Sequence, residues 1–480
     1  MNTILKRPWT IPIIVFAIAS AYFISLSATF PTFYNANSDS ALFIIAAKYL
    51  RLGHPSPGYP LFTLINAGWL QLTPFWTEVA SLTLLNAVVS GAVALVLYLL
   101  TRSILAPLLW MCSGLVVSQS TILEQYSMMI LFMLGSYYFY NKDKRSIAYA
   151  VASFGIMVNH QAAFCILAYL ANDVYRHNTL KPFLLSFISL PLLLYIPLAN
   201  RPPYLLIDGN SPMHYFDYFF GQKGLILGIA IVPPDNLFER LWEFSRLLVG
   251  GLGVALILTA LAIKKVWKEN FVLPLLFILP LFYYLTILSP WAYTYALAGI
   301  AFGIVLACSY QWNFIRNVSI AGAIVLIILN YSWYDFGMTL DKDKTAEQFM
   351  QSLDELPSDA VILNHKGFMT PMWVMLYNLD NGTNIKSLGW DLLAQYSTRK
   401  SNPETGEKEW VYENQTPPEL AKAESEGKLY EYSLVNAETL ALSLKKVTKE
   451  DVEYSDFMRW LSNPHTSRLN CDLKEGVWTC

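Results

Sequence analysis

Charge is scarce in this chain. Only 14 % of its 480 residues are Asp, Glu, Lys or Arg, where a soluble domain carries about 25 %. Cysteine and histidine are also rare, at 5 and 6 residues. None fall in the close Cys/His spacing of a zinc site, and no HExxH run occurs. A Walker-type phosphate loop and a Gly-rich dinucleotide fingerprint are missing too, which removes the common routes to nucleotide chemistry. No basic stripe marks a nucleic-acid partner. What remains is apolar: 55 % of the residues are hydrophobic and 15 % are aromatic.

The few charges are unevenly placed. Residues 1–340 hold 18 basic and 12 acidic side chains, and residues 341–480 hold 15 and 23. This predicts an apolar membrane domain over 1–340 and a polar domain over 341–480. Trp9–Phe30 follows Lys6 and Arg7 and is too long for the apolar core of a signal peptide, so it reads as a non-cleaved anchor. Apolar runs predict about eleven spans, near 9–30, 79–101, 104–121, 126–140, 146–160, 161–175, 182–199, 247–263, 271–289, 292–310 and 318–336. Tyr59–Leu72 is too short to cross and reads as an interfacial helix. The positive-inside rule then orients the chain. With Tyr59–Leu72 outside, 12 of the 18 basic residues face the cytoplasm and 6 face out; letting it cross reverses that ratio. The N-terminus is expected in the cytoplasm. The C-terminal domain is expected outside, in the periplasm or cell exterior, or in the endoplasmic reticulum lumen of a eukaryote. Aromatic clusters at 282–285 and 290–295 suit an outer interfacial belt.

This topology sends most acids of the membrane domain to one face. Asp39 precedes the run SALFIIAAKYLRLG, where it caps a helix ended by Gly53 or presents a carboxylate to a cavity. Lys48 and Arg51 lie three apart on an otherwise apolar helix; they snorkel to headgroups or meet a lipid phosphate. His54 sits in the Pro-braced turn GHPSPGYP, either as a local hydrogen-bonder or as a site group. Glu124 lies between two apolar runs, and an ionisable group at that depth is a functional candidate unless it is solvated beyond the helix end. His160, in VNHQAAF, is either a packing or a site histidine. Arg201, in YIPLANRPPY, caps a helix or binds phosphate in a fork. Cys112, Cys165 and Cys308 lie in apolar runs as inert core residues. Cys471 and Cys480 lie in the tail and are open to disulfide formation in an oxidising compartment.

Four blocks in order, SDSALFIIAAKYLRLGHPSPGYPLF, LEQYSMMILFM, VNHQAAF and YIPLANRPPYLLIDGNSP, resemble a family of polytopic GT-C-type membrane glycosyltransferases formerly of unknown function. That family includes a protein O-mannosyltransferase of the transmembrane protein 260 type. The resemblance covers roughly residues 10–390. It implies a GT-C-like fold with interfacial helices in the first outer loop. It also implies transfer of mannose or a similar hexose, with inversion, from a polyprenyl-phosphate carrier to a protein or glycan hydroxyl outside the membrane. Asp39 matches the first-loop acid and would act as general base. Many members carry D-S-G-E there; this chain has Asp39-Ser40-Ala41-Leu42 and lacks the second acid. His54 and Tyr59 fall in the GYP block, Glu124 and Tyr126 in the E-x-Y block, and His160 in the N-H block; all are expected to bind substrate. Arg201 first and Lys223 second would meet the lipid phosphate, with Lys48 and Arg51 nearby. The resemblance implies no resident cofactor beyond a divalent metal bridging that phosphate.

The tail reads as a small α/β domain: helices over DKTAEQFMQSLDEL and PMWVMLYNL, strands at DAVILNH and NIKSLG, and a polar loop over 400–428. Asn381 and Asn414 begin N-x-T patterns that matter only in a glycosylating lumen. The alternatives to a transferase are a transporter or lipid-carrier flippase, with ionisable groups at the midplane, and a non-catalytic membrane scaffold.

Overall fold

A computed structural model describes residues 9–29, 38–50, 59–177, 179–189, 237–286, 292–310, 313–329 and 352–364, and shorter segments of the tail up to residue 479. Arg51, His54, Arg201, Lys223, Asn414, Cys471 and Cys480 lie outside the described residues. Packing divides the chain into two units. One comprises Met1–Phe33, Leu42–Arg201 and Ile207–Lys342; the other comprises Tyr34–Ala41, Pro202–Leu206 and Asp343–Cys480.

The first unit is helical. Its elements are α1 (Thr10–Thr29), α2 (Ser38–Tyr49) from Leu42 onward, its first residues through Ala41 falling to the other unit, α3 (Pro60–Leu72), α4 (Glu78–Thr101), α5 (Leu105–Cys112), α6 (Gly114–Ser120), α7 (Tyr126–Asn141), α8 (Arg145–Ile156) and α9 (Ala163–Asn172), then α10 (Leu237–Leu252), α11 (Ala255–Glu269), α12 (Val272–Thr286), α13 (Ala296–Cys308) and α14 (Asn313–Leu329). Among the described residues two helices, α1 and α4, are long and apolar enough to cross a membrane by themselves. The number rises to three if the bent pair α10–α11 counts as one span. The apolar runs predict eleven. The difference is physical: the predicted runs are interrupted by backbone breaks, and α12, α13 and α14 are shorter than a full crossing.

Two breaks show the cause. The run 104–121 divides at Ser113, which is extended at φ −66° and ψ 119°. The run 247–263 divides at Gly253, and α10 and α11 meet at 94°. Gly253 takes φ +53°, and a Cβ there would lie 3.0 Å from the Ala323 side chain in α14. Only glycine supplies both the left-handed backbone and the clearance.

α4 is the organising helix. Thr77 caps it, its hydroxyl accepting from the Ala80 N–H at 3.3 Å, and Arg102 ends it in the left-handed conformation at φ +54°. Its Gly91 lies against Ser20 of α1 with no room for a side chain. α13 is buried on every side, at all thirteen positions. Its Gly299 and Gly303 repeat at four-residue spacing and admit Leu281, Leu252 and Phe277 from α12 and α10, as small residues do where helices cross closely.

At the α7–α8 and α9 ends a buried carboxylate holds three helices. Asp173 Oδ1 accepts from the Tyr140 hydroxyl at 2.8 Å and pairs with Arg145 at 3.4 Å. Asn172 donates to the same tyrosine oxygen at 2.7 Å, and Tyr140 stacks on Tyr169 at 4.2 Å. Arg145 also pairs with Asp143 at 2.9 Å, so removing Asp173 leaves the guanidinium one partner but takes the acceptor from the buried Tyr140 hydroxyl. Asp173→Ala is expected to cost about 1–3 kcal/mol, the usual penalty for a buried polar group left without its partner, read as a lower melting temperature in detergent.

In the second unit, strands β1 (Val361–Asn364), β2 (Lys386–Leu388), β5 (Leu429–Asn436) and β6 (Ala441–Lys446) form a sheet in the order β2-β1-β5-β6. β1 is parallel to both β2 and β5, and β5–β6 is an antiparallel pair. β1 and β2 fall on the predicted DAVILNH and NIKSLG strands. The predicted loop 400–428 is corrected in part. β3 (Ser397–Ser401) and β4 (Lys408–Tyr412) pair antiparallel within and beside it. Trp410, Val411 and Tyr412 are β-branched or aromatic residues that favour a strand. A last pair, β7 (Asp472–Lys474) and β8 (Val477–Thr479), closes the described tail. The two predicted tail helices fall mostly outside the described residues. Asn381 is described, and its amide donates to the Tyr377 carbonyl at 3.1 Å.

Candidate functional site

α2 begins at Ser38, so Asp39 lies inside the first turn rather than preceding the helix. The helix also ends earlier than its sequence suggests, at Tyr49, with Leu50 at φ +51° and not Gly53 as the terminator. One turn beyond Asp39, Phe43 is buried. Its ring meets Tyr59 edge-on at 5.7 Å and Phe62 at 4.9 Å, which seats α2 on the start of α3. Pro60 occupies the first turn of α3, where its missing N–H costs nothing.

Lys48 is held by a protein partner. Its ammonium lies 2.6 Å from Glu78 at the head of α4, with both side chains partly exposed. Such a pair contributes about 0.2–1 kcal/mol. A Lys48→Ala/Glu78→Ala double-mutant cycle on thermal stability is expected to return a coupling in that range.

The loop before α7 is set from α4. The Asn86 amide donates to the Gln119 carbonyl at 2.9 Å and to the Ile122 carbonyl, and Ser90 donates to Ser127 at 2.9 Å. These bonds fix Glu124 and Tyr126 on either side of Gln125. Glu124 is 1 % exposed and interacts electrostatically with Tyr126. Tyr126 also interacts with Tyr59 and shares a side-chain hydrogen bond with Thr294. Its ring lies 6.4 Å from Tyr295, which lies 5.3 Å from Tyr283. Tyr283 in turn shares a hydrogen bond with His160 Nε2 at 3.2 Å. His160 sits in the short turn His160–Ala162, where Asn159 accepts from the Gln161 N–H at 3.0 Å.

Four predicted site residues, Tyr59, Glu124, Tyr126 and His160, therefore share one connected cluster. Thr294, Tyr295 and Tyr283 join it, and sequence reasoning assigned the two tyrosines to an interfacial belt. A tyrosine is apolar in body and polar at its tip, so the same pattern serves a membrane interface or a buried hydroxyl network. The cluster offers a carboxylate, an imidazole and several phenols: hydrogen-bonding groups suited to hydroxyls, with no Lys or Arg among its described members. Among the described residues no group of three His, Cys, Asp or Glu side chains comes together to hold a metal ion.

The segment from Asp39 through α9 matches a known family model. Residues 39–179 match the model of the protein O-mannosyl-transferase TMEM260 N-terminal domain. The TMEM260 match opens on Asp39 and contains Lys48, Arg51, His54, Tyr59, Glu124, Tyr126 and His160. Arg201, Lys223, Tyr283 and Thr294 fall outside it. A search of curated proteins finds no match to the chain.

Proposed function

We propose that this protein is a membrane glycosyltransferase of the O-mannosyl type. It moves a hexose from a polyprenyl-phosphate carrier to a hydroxyl of a protein or glycan acceptor on the outer face of the membrane. The observation that carries this reading is the TMEM260 match from Asp39 to Thr179, whose span includes four residues that meet in one hydroxyl-suited cluster. In the reaction, the acceptor oxygen attacks the anomeric carbon as the carbon–phosphate oxygen bond breaks. Asp39 takes the hydroxyl proton, and the polyprenyl phosphate leaves with the electron pair. A single displacement inverts the anomeric centre, and one base suffices. The leaving phosphate needs positive charge. Arg201 and Lys223 supply it, because Lys48 is engaged by Glu78. Glu124, Tyr126 and His160 orient the sugar or acceptor. On this reading the acceptor and the carrier meet on the outer side, the side to which the bias of basic residues toward the cytoplasm assigns most acids of the membrane domain.

The test is direct. The purified chain in lipid nanodiscs is incubated with polyprenyl-phosphate hexoses and Ser/Thr-containing protein acceptors, and the products are read by mass spectrometry. Transfer with anomeric inversion is the expected result. Carrier movement across the bilayer without any glycosylated product would replace the transferase by a flippase.

A further inference from the structure

Beside the cluster lies a second set of polar groups that the proposed reaction does not use. Gln161 is fully buried, and neither its Oε1 nor its Nε2 has a hydrogen-bond partner. Asn66 is 1 % exposed, with both amide atoms unpartnered. Asn159 Nδ2, Thr63 Oγ1 and Gln125 Oε1 are likewise buried and unpartnered. These residues come from three elements that meet. The Leu61 N–H donates to the Met157 carbonyl at 3.1 Å, so the start of α3 rests on the end of α8. The chain continues from Met157 into the Asn159–Gln161 turn, and α7, which follows Gln125, packs on that turn. Phe62, Thr63 and Asn66 lie along the buried face of α3.

Buried polar groups in native proteins are almost always satisfied, and each exception asks for a ligand, a water or a functional cause. Apolar side chains of equal size would fill this space at lower cost. Amides do one thing those cannot: each presents an acceptor and two donors at fixed angles. Neutral groups of this kind discriminate between hydroxyl patterns, because the wrong hydroxyl leaves a buried partner unpaired.

We infer that Gln161, Asn159, Asn66 and Thr63 form the subsite that reads the hydroxyl pattern of the transferred hexose. This rests on the transferase reading above and assigns its sugar specificity to the α3 face and the α8–α9 turn. The test uses the full chain in nanodiscs with polyprenyl-phosphate hexoses that differ at one hydroxyl, as epimers and deoxy sugars. Gln161→Met and Asn66→Leu keep volume and remove hydrogen bonding. Both variants are expected to hold or raise the melting temperature. The KM for the preferred hexose donor should rise about tenfold, and discrimination against the deoxy or epimeric donor should fall by about 10- to 100-fold. Folded variants with unchanged KM and unchanged discrimination overturn the inference, leaving the amides as hosts of structural water. If Gln161→Met fails to fold, Asn66→Leu decides by the same two readouts; loss of fold in both assigns the amides to packing and also overturns it. An unmodified protein that transfers from no polyprenyl donor fails the transferase reading itself, a result distinct from these.

Discussion

The Asp39→Asn protein is expected to fold and insert like its parent and to lose hexosyl transfer by about 10²–10⁴-fold, the usual contribution of a positioned general base. Asparagine has the shape of aspartate and suits the first turn of a helix, so α2 keeps its start at Ser38. The helix loses the interaction of a negative charge with its N-terminal dipole, about 0.3–1 kcal/mol. Donor binding should therefore survive, and the loss should fall on kcat. Rates at saturating donor, beside a melting curve for each protein, separate the two effects. Transfer at the parental rate by a folded Asp39→Asn protein removes the base from Asp39. The second acid of the D-S-G-E pattern is leucine here, so that motif offers no other carboxylate to take over the proton.

Gly91→Val is expected to be the most damaging single substitution in the helical unit. A Cβ at position 91 would lie 2.8 Å from the Ser20 backbone nitrogen and 3.0 Å from its Cα, and it would also meet the Ser20 hydroxyl. Backbone cannot swing aside as a side chain can, so α1 must separate from α4. Overpacking of this kind costs about 3 kcal/mol, and here it acts on α1 and α4, both long and apolar enough to cross a membrane unaided. The measurement is the fraction of monodisperse protein after detergent extraction, with the melting temperature. Gly135→Ala in α7 is the control: nothing lies within 4 Å of its added methyl, and alanine favours a helix by about 1 kcal/mol. Equal stability of the two variants would show that the α1–α4 crossing carries no weight.

Hydrophobic run length located α1, α4 and α7 to within a residue or two, because uninterrupted apolar stretches admit few other structures. It did not locate the breaks at Ser113 and Gly253. Both lie inside apolar sequence, and a single glycine or serine in such a run is as common within a helix as at its end. Whether Gly253 bends the chain depends on Ala323, far along the sequence. The strand at Lys408–Tyr412 was hidden by the polar residues around it. In the cluster, Glu124 and His160 stand out in the sequence as polar groups against an apolar background, while Tyr59 and Tyr126 were singled out only by the family blocks they fall in. Tyr283 and Tyr295 were not, since tyrosine is equally at home in a lipid interface. The role of Lys48 also depended on distance: sequence shows an exposed cation on an apolar helix, and only folding brings Glu78, thirty residues on, to 2.6 Å.

The burial of α13 on all sides has a consequence for how the molecule is made. A segment with no face left for lipid gains little from lying alone in a bilayer; its partners are other parts of the same chain. Among the described helices it packs against α4, α5, α7, α10, α11 and α12, all synthesised before it, and against α14, which follows. The ribosome thus delivers this pillar late in the helical unit, into a scaffold already standing, and nascent chains arrested before Ala296 should retain an unfilled slot that a separately expressed 292–329 fragment can enter.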